Sequence, residues 1–277
     1  MATGSDSASA DLELDSDYPL RDEEIAAFRR DGHVRLRALA SAADVEAFRP
    51  AVRAVVDAVA ARHDHQGRID DYDRLFTQVT NAWRLAEPVR RLVLARRFAR
   101  VAARLMGVEG VRLYHDQALF KEPGGQPTPW HRDRYYWPLD TTHTVTMWMA
   151  LVDVAPDMGP MTFASGSHLA GDVPALAISA ESDLLLARYV AARRFPLAGA
   201  ALAAGDATFH SGGTLHCARA NLSAARREVM TVIYFADGTR VLAPANPFQE
   251  ADARAFLPGV KPGDLAASEL NPLLYRQ

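Results

Sequence analysis

The segment WHRDRYYW, residues 130–137, places two metal-binding residue types, His131 and Asp133, two positions apart. Alternate side chains of an extended strand share a face, so the pair predicts an imidazole and a carboxylate close enough to bind one metal ion. The chain has 9 His and 23 Asp among 277 residues, and about 0.7 such pairs are expected by chance. The pair therefore needs a further donor before it indicates a metal site.

A mononuclear iron site that activates dioxygen uses two His and one carboxylate and leaves other positions open. Four later histidines could supply the missing donor: His143, His168, His210 and His216. His143 follows a polar turn and His168 ends the loop-like ASGSH, which is typical of surface histidines. His210 and His216 flank a Gly-rich turn in FHSGGTLH, and the residues alone do not choose between these two.

Other candidate metal ligands are few. The single cysteine, Cys217, excludes both an intramolecular disulfide and a cysteine-based zinc site. His63 and His65 in RHDHQ lie where a helix is predicted to run into a polar loop, which favours histidines that bind no metal.

The elements predicted to position these side chains are mostly helices before about residue 110 and strands after it. Ser41 and Asp44 resemble a capping box that opens a helix to about residue 61. A second long helix is predicted over 87–106, and a short helix and a strand, HVRLRAL, precede both. Residues 21–107 are therefore predicted to form a helical preface.

From residue 111 the apolar period changes to two. VRLYHDQALFKEP, HTVTMWMALVDV, ATFHSGG, TLHCARA and EVMTVIYFAD alternate, or run apolar, between Gly- and Pro-containing turns. Successive strands after a helical preface predict a mainly β fold with flanking helices, built as a β-sandwich or closed double sheet over about 111–238. A jelly roll is the commonest such solution, so a double-stranded β-helix, or cupin-like, core is the first choice. SAESDLLLARYVAARR predicts a helical insertion within about 169–196, which would fit a lid or a wall over the sheet. An irregular C-terminal tail follows, and residues 21–277 are expected to form one domain.

Charge and hydropathy restrict the partners and the location. A net charge of −3 and a pI near 6.3 give no global electrostatic reason to bind nucleic acid or an anionic membrane. Residues 1–20 are polar and acidic without the pattern of a secretory signal, so we expect a frayed leader. No apolar run reaches the length of a membrane span, and we expect a cytoplasmic protein whose partner is a small-molecule substrate. The oligomeric state is left open.

Four blocks of the chain resemble, in order and approximate spacing, the phytanoyl-CoA dioxygenase family of iron(II)- and 2-oxoglutarate-dependent oxygenases. The blocks are WHRDRYYWPL, TVTMWMALVDV, GPMTFASGSH and GDATFHSGGTLHCARANLSAARREVMTVIYF. The resemblance covers roughly residues 75–236. It implies iron(II) as the metal, with 2-oxoglutarate and O2 as cosubstrates.

The resemblance also implies a ligand set. In that family the distal iron-binding His begins a short segment that ends in Asn, and an Arg follows this His by eleven residues. LHCARAN places the His at 216 and the Arg at 227. His131, Asp133 and His216 are thus the implied iron ligands and catalytic centre, with His210 as a neighbour.

Arg227 is the implied anchor for the distal carboxylate of 2-oxoglutarate, because a planar guanidinium binds a carboxylate through two hydrogen bonds. Arg226 is the rival, but strand alternation predicts that it lies on the opposite face. Gln117 and Trp148 match further positions that contact the cosubstrate in relatives. Ala218 stands where the family often has a hydroxyl residue, which removes one expected hydrogen bond.

The implied reaction is oxidative attack on an unactivated C–H bond, with decarboxylation of 2-oxoglutarate. Hydroxylation is the first choice, and cyclisation, epimerisation or desaturation are alternatives; the carboxylate of Asp133 disfavours halogenation. Tyr135, Tyr136 and Trp137 could line an apolar substrate pocket. A zinc-dependent hydrolase and a non-catalytic binding protein on the same scaffold are the rival functions. The Ala- and Arg-rich composition suits tailoring of a secondary metabolite, and the substrate is left open.

Overall fold

The computed structural model describes residues 13–64 and 75–277. In this part of the chain the α-helices are α1 (Asp22–Asp31), α2 (Ala42–Asp64), α3 (Glu87–Val93), α4 (Arg96–Met106), α5 (Ala180–Ala192) and α6 (Pro247–Phe256). The strands are β1 (His33–Leu36), β2 (Phe76–Thr80), β3 (Gly110–Lys121), β4 (Thr128–His131), β5 (Thr144–Ala150), β6 (Met161–Ala164), β7 (Leu197–Ala198), β8 (Ala207–Ser211), β9 (His216–Ala218), β10 (Arg227–Ala236) and β11 (Leu273–Arg276). No helix within the described ranges is both long enough and apolar enough to cross a bilayer.

The strands form two antiparallel sheets. The larger sheet has the order β1-β8-β5-β10-β3-β11, with β2 also paired to β3, and the smaller has the order β4-β9-β6-β7. Consecutive strands alternate between the sheets along much of the chain, as in a jelly roll. The predicted mainly β fold with flanking helices is confirmed.

Strand β10 shows how sequence alternation divides the two faces of the larger sheet. One set of its residues packs with α4 and the other helices in the largest apolar cluster: Met230, Val232 and Tyr234. The intervening set enters the clusters between the sheets: Val229, Ile233 and Phe235. Because successive side chains of a strand point to opposite faces, this one strand lines both the helical layer and the interior.

A β-bulge interrupts this alternation in β3. Ile233 of β10 pairs with His115, whereas the next residue, Tyr234, pairs with Leu113, so Tyr114 is the extra residue. Leu113 packs among the helices, whereas Tyr114 enters an interior cluster and His115 lines the interior cavity. A bulge thus turns two consecutive side chains to the same side of the sheet.

The helical preface differs from the prediction in two respects. The predicted strand HVRLRAL is present as β1, but β2 is an additional strand; β1 pairs with β8 and β2 pairs with β3 of the larger sheet. The helix predicted over 87–106 is two helices, α3 and α4, because Ala95 has an extended backbone (ψ 125°) that interrupts the helical hydrogen bonds. The end of α4 is as predicted: Gly107 takes a left-handed conformation, φ 71°.

Both chain ends are more ordered than predicted where they are described. Of the expected leader, Leu14 and Leu20 pack on the core, each 5% exposed, and the hydroxyl of Tyr18 donates to the carbonyl of Arg37. The C-terminal tail is not irregular throughout, since it contains α6 and β11. Apolar side chains of these segments, such as Phe256 and Leu257, are buried. Burial of each such side chain contributes about 2 kcal/mol to the free energy of unfolding.

The predicted helical insertion contains α5. Ser179 caps it by accepting a hydrogen bond from the backbone N–H of Ser182. The Asp183 carboxylate accepts a hydrogen bond from the backbone N–H of Trp130 at 2.7 Å, which ties α5 to β4. Residues 178–180, at the start of the helix, line the interior cavity, so the insertion contributes a wall. Of the predicted histidine pair, His65 and the side chain of His63 lie outside the described residues.

Candidate metal centre and cavity

A cavity of about 710 Å³ lies between the two sheets. Side chains of both sheets line it, including Trp148 of β5, Arg227 of β10 and His131 of β4. The other parts of its wall come from residues 126–127, from residues within 133–137, from residues 178–180 and from α6. The volume lies in the range of small-molecule sites, about 300–1,000 Å³.

His131, Asp133 and His216 converge on one point at the cavity wall. Their donor atoms all lie within 4.8 Å of one another, and among the described residues this is the one such cluster of potential metal ligands. Asp133 Oδ1 is 3.6 Å from Nε2 of His131 and 3.6 Å from Nε2 of His216. Donors that surround one ion at about 2.1 Å lie about 3–3.5 Å apart, so these three atoms are close to the spacing that a shared ion requires.

The local structure behind this convergence differs from the prediction. Strand β4 ends at His131, and Asp133 begins a 3-10 helix, Asp133–Tyr135, so the two side chains do not share a face of one strand. A turn brings the carboxylate back toward the imidazole, and the backbone N–H of Arg134 donates to the Gly212 carbonyl at 2.8 Å to hold that turn. His216 opens β9 directly opposite His131 in the antiparallel register.

Backbone carbonyls orient both imidazoles. Nδ1 of His131 lies 2.7 Å from the Pro129 carbonyl, and Nδ1 of His216 lies 3.0 Å from the Thr214 carbonyl. A carbonyl oxygen can only accept, so Nδ1 carries the proton in each ring. Each Nε2 lone pair is therefore free to face Asp133 and to bind a metal.

The two oxygens of Asp133 have different surroundings. Oδ1 faces the two imidazoles, whereas Oδ2 accepts hydrogen bonds from the Thr146 hydroxyl at 2.8 Å and from Nε2 of His210 at 3.2 Å. His210 is 1% exposed, and its Nδ1 has no hydrogen-bond partner among the described residues. His210 thus contacts Oδ2 rather than the Oδ1 atom that faces the two imidazoles, and it lies outside the three-donor cluster.

The protonation states suit a divalent cation. Burial, together with the charge of a neighbouring imidazole, lowers the pKa of His131 and that of His216 to about 4. Burial acts to raise the pKa of Asp133, but His216 and His210 together favour the carboxylate and hold that pKa below its ordinary value. Near neutral pH the cluster therefore presents two neutral imidazoles and one carboxylate, the forms in which these groups bind metals.

Arg227 lies elsewhere on the cavity wall. It is 1% exposed, its guanidinium carbon is 5.4 Å from the ring centroid of Trp148, and Nη1 donates to the Gly159 carbonyl at 2.5 Å. Gly159 has φ +69°, and a Cβ there would lie 2.1 Å from the carbonyl oxygen of Arg219. A side chain at position 159 would therefore displace the Gly159 carbonyl that accepts from Arg227. Arg226 points to the opposite face, as alternation predicts, and pairs with Asp57 at 2.8 Å.

The other residues predicted to contact the cosubstrate also line the cavity: Gln117 on β3 and Trp148 on β5. Trp148 is 2% exposed. Ala218, which lacks the hydroxyl common at this position in the family, lines the same cavity.

Two of the three predicted substrate-pocket aromatics line the cavity, Tyr136 and Trp137. The Tyr136 hydroxyl accepts a hydrogen bond from the backbone N–H of Ile178, which links the aromatic segment to the insertion. Tyr135 does not line the cavity; its ring contacts those of Tyr136 and Phe248.

Sequence reasoning missed His115, Asp252 and Phe256, which line the half of the cavity that includes Trp137. Counting back two residues from Gln117 along β3 would have found His115. Nothing local to Asp252 or Phe256 signals their place, because α6 reaches the cavity only through the tertiary fold.

The sequence profile of the phytanoyl-CoA dioxygenase (PhyH) family matches residues 28–229. The chain belongs to this family. The match extends beyond the blocks that carry the resemblance, toward the N-terminus through α2 and β1. No curated protein sequence matches this PhyH-family protein.

Solved structures of similar fold are oxygenase-type enzymes. SnoK, a non-heme alpha ketoglutarate dependent carbocyclase from nogalamycin biosynthesis, is 28% identical with a TM-score of 0.75, over 92% of this chain and 96% of SnoK. The epimerase SnoN, solved in complex with Fe3+, alpha ketoglutarate and nogalamycin RO, is 26% identical with a TM-score of 0.72, over 91% and 97%. EctD from S. alaskensis, solved with 2-oxoglutarate and 5-hydroxyectoine, is 21% identical with a TM-score of 0.65, over 84% of each chain; at this identity the likeness shows the fold.

These likenesses confirm the predicted double-stranded β-helix and the predicted class of enzyme. The PhyH-family protein is an iron- and 2-oxoglutarate-dependent oxygenase, and O2 is the second cosubstrate of the family.

Proposed function

We propose that this oxygenase binds iron(II) through His131, Asp133 and His216, binds 2-oxoglutarate through Arg227, and oxidises a C–H bond of a small organic substrate. The observation that carries the proposal is that three metal donors and one buried guanidinium share a single cavity. Iron(II) suits two neutral imidazoles and a carboxylate that occupy one side of the ion.

Bound iron(II) supplies the coupling of O2 reduction and 2-oxoglutarate decarboxylation to attack on an unactivated C–H bond. The side chains of this chain position the reactants. His131 and His216 present their Nε2 atoms because Nδ1 of each is committed to a backbone carbonyl. Thr146 and His210 hold Asp133 so that Oδ1 faces the same point.

The proposed role of Arg227 is to bind the distal carboxylate of 2-oxoglutarate. Its guanidinium is buried, and the Gly159 carbonyl and the ring of Trp148 restrict its orientation. A charge-assisted pair in such a buried setting is stronger than one in water. Gln117 and Trp148 are proposed to contact the remainder of the cosubstrate.

The proposed substrate is a small molecule of natural-product type, and the proposed context is secondary-metabolite tailoring. The two similar enzymes from nogalamycin biosynthesis support this choice, one a carbocyclase and one an epimerase. Hydroxylation is the first expectation for the reaction, with cyclisation, epimerisation and desaturation as variants of the same hydrogen removal. The half of the cavity near Tyr136 and Trp137 is the proposed substrate site, and Tyr135 is proposed to act at its edge.

The test is an anaerobic titration of the metal-free protein with iron(II) and then with 2-oxoglutarate. The weak visible charge-transfer band of a chelated 2-oxoglutarate complex should appear only when both are present, and admission of O2 should remove it as succinate forms. Asp133→Ala should give no band while its circular dichroism spectrum matches that of the unsubstituted protein. Iron binding without the band, or succinate formation by Asp133→Ala, contradicts the proposal.

A further inference from the structure

The half of the cavity that includes Trp137 has mostly aromatic and apolar walls. They include Tyr136, Trp137, Ile233 and Phe256, and Trp137 and Phe256 belong to one cluster of buried apolar residues. A carboxyl group, Asp252 of α6, interrupts this surface.

Asp252 is held at one of its two oxygens. The hydroxyl of Tyr114, the residue that the bulge in β3 turns inward, donates to Oδ2. Within the described part of the chain Oδ1 accepts no hydrogen bond, although it belongs to a residue of the cavity wall. A carboxylate accepts through both oxygens, so Oδ1 has capacity for a ligand.

No positive charge of the described chain compensates Asp252. No Arg, Lys or His nitrogen there lies within 4 Å of its carboxylate. A basic ring on the same wall, His115, stacks on Phe256 at 4.0 Å, and burial lowers its pKa to about 4, so it is neutral near pH 7. Burial also raises the pKa of Asp252 to about 7 despite the hydrogen bond from Tyr114, as expected for a carboxyl group without a cation.

We propose that Asp252 is the recognition site for a protonated amine of the substrate, with the aromatic walls beside it receiving the cation. One carboxylate among aromatic rings is a favourable environment for an organic ammonium ion, because the ion gains a charge-assisted hydrogen bond and attraction to the ring faces. A neutral polar group would gain neither the charge-assisted hydrogen bond nor the attraction of a cation to the ring faces.

This inference rests on the proposed function, because the amine site fixes the substrate relative to the metal donors of the same cavity. It narrows the substrate class to organic molecules that carry a basic nitrogen at a distance from the carbon to be oxidised. Asp252 is thus a specificity residue rather than part of the oxidation chemistry.

The experiment compares two probes of nearly the same shape, 2-phenylethylamine, which is an ammonium ion at pH 7.5, and 2-phenylethanol, which is neutral. Isothermal titration with the full-length protein, without added metal, measures the dissociation constant of each. We expect the amine to bind about tenfold more tightly or better. Asp252→Asn should remove this preference and leave the binding of the alcohol unchanged.

Glu250→Gln is the matched control, because Glu250 lies on the same helix but points to solvent, 58% exposed and 3.9 Å from Arg254. This variant should keep the preference for the amine. Asp252→Ser, checked for folding by thermal melting, replaces the asparagine variant if that variant does not fold. Equal affinities in the unsubstituted protein, or a preference that survives both Asp252 substitutions, overturns the inference. Because the assay contains no iron, its outcome is independent of the charge-transfer test above.

Discussion

At the scale of single residues, the two carboxylate oxygens of Asp133 have different partners. Oδ2 accepts hydrogen bonds from Thr146 and His210, and Oδ1 faces the point proposed for the metal. We expect His210→Ala to weaken iron(II) binding about 10- to 100-fold, as loss of a residue that orients a metal ligand commonly does. Competition with a chelator under nitrogen measures this affinity. His210→Gln, whose amide can donate to Oδ2, should recover part of the loss.

His143→Ala is the control for the His210 variant. His143 is exposed in the turn before β5, so its removal should leave iron affinity unchanged. If His210→Ala and His143→Ala bind iron equally well, His210 does not position Asp133.

Arg227 and Arg226 offer a second matched pair, because they are adjacent in sequence and point to opposite faces of β10. Arg227→Ala should weaken 2-oxoglutarate binding about 30-fold or more, since it removes a buried charged partner. Arg226→Ala should change this affinity about threefold or less, because Arg226 pairs with Asp57 on the outer face. Spectroscopic titration of the iron-loaded protein gives both dissociation constants, and equal losses would contradict the assignment of Arg227.

The side chains around the cavity were predictable from sequence to different degrees. Strand parity alone placed Arg227 and Arg226 on opposite faces. His131 and Asp133 come together as predicted, but through a turn that a His-x-Asp pattern does not reveal. The choice of His216 over His210 needed the family resemblance, because both histidines are buried near Asp133 and spacing alone does not separate them.

At the scale of elements, α5 braces the strand that carries His131. Asp183→Ala leaves the backbone N–H of Trp130 without its acceptor, and loss of a partner for a poorly hydrated donor costs about 1–3 kcal/mol of the free energy of unfolding. Glu181→Ala, at an exposed site in the same first helical turn, should cost about 0.5 kcal/mol or less. Urea denaturation of both variants measures the difference. Equal losses would mean that the contact between α5 and β4 does not stabilise the fold.

The bulge in β3 and helix α6 escaped prediction for distinct physical reasons. The bulge at Tyr114 inserts one residue into a pattern that otherwise alternates, and no Gly or Pro marks its position in LYHDQ. Helix α6 has an ordinary start, Asn246 as the N-cap before Pro247. Its place over the cavity depends on contacts with Tyr114 and His115, which are more than 130 residues earlier in the chain.

At the scale of the whole molecule, Lys121 should make the free energy of unfolding depend on pH in the neutral to alkaline range. It is fully buried, and its ammonium donates to the Gln126 carbonyl at 2.7 Å and the Arg219 carbonyl at 3.3 Å. Burial, with the charge of Arg227, lowers the pKa of Lys121 from 10.5 to about 7. Between these two values the unfolded chain binds more protons than the native protein, so the free energy of unfolding rises with pH.

A comparison with Lys121→Met isolates this contribution. The free energy of unfolding of the unsubstituted protein minus that of the variant should be flat below about pH 7. It should then rise between pH 7 and 10 by up to about 1.4 kcal/mol per pH unit. Denaturation at a series of pH values measures the difference, and a flat profile across the whole range would show that Lys121 keeps an ordinary pKa in the native protein.

The family profile ends at residue 229, near the start of β10, whereas α6 with Asp252 and Phe256 begins eighteen residues later. The proposed metal donors and Arg227 thus lie within the matched residues, whereas Asp252 and Phe256 lie beyond them. A chimera that keeps residues 1–238 and takes the following segment from another family member would exchange part of the proposed substrate wall while retaining the proposed metal donors and Arg227. On the proposed function, the substrate site and the oxidising centre would then be separable, because exchange of one terminal segment alters the first and leaves the second intact.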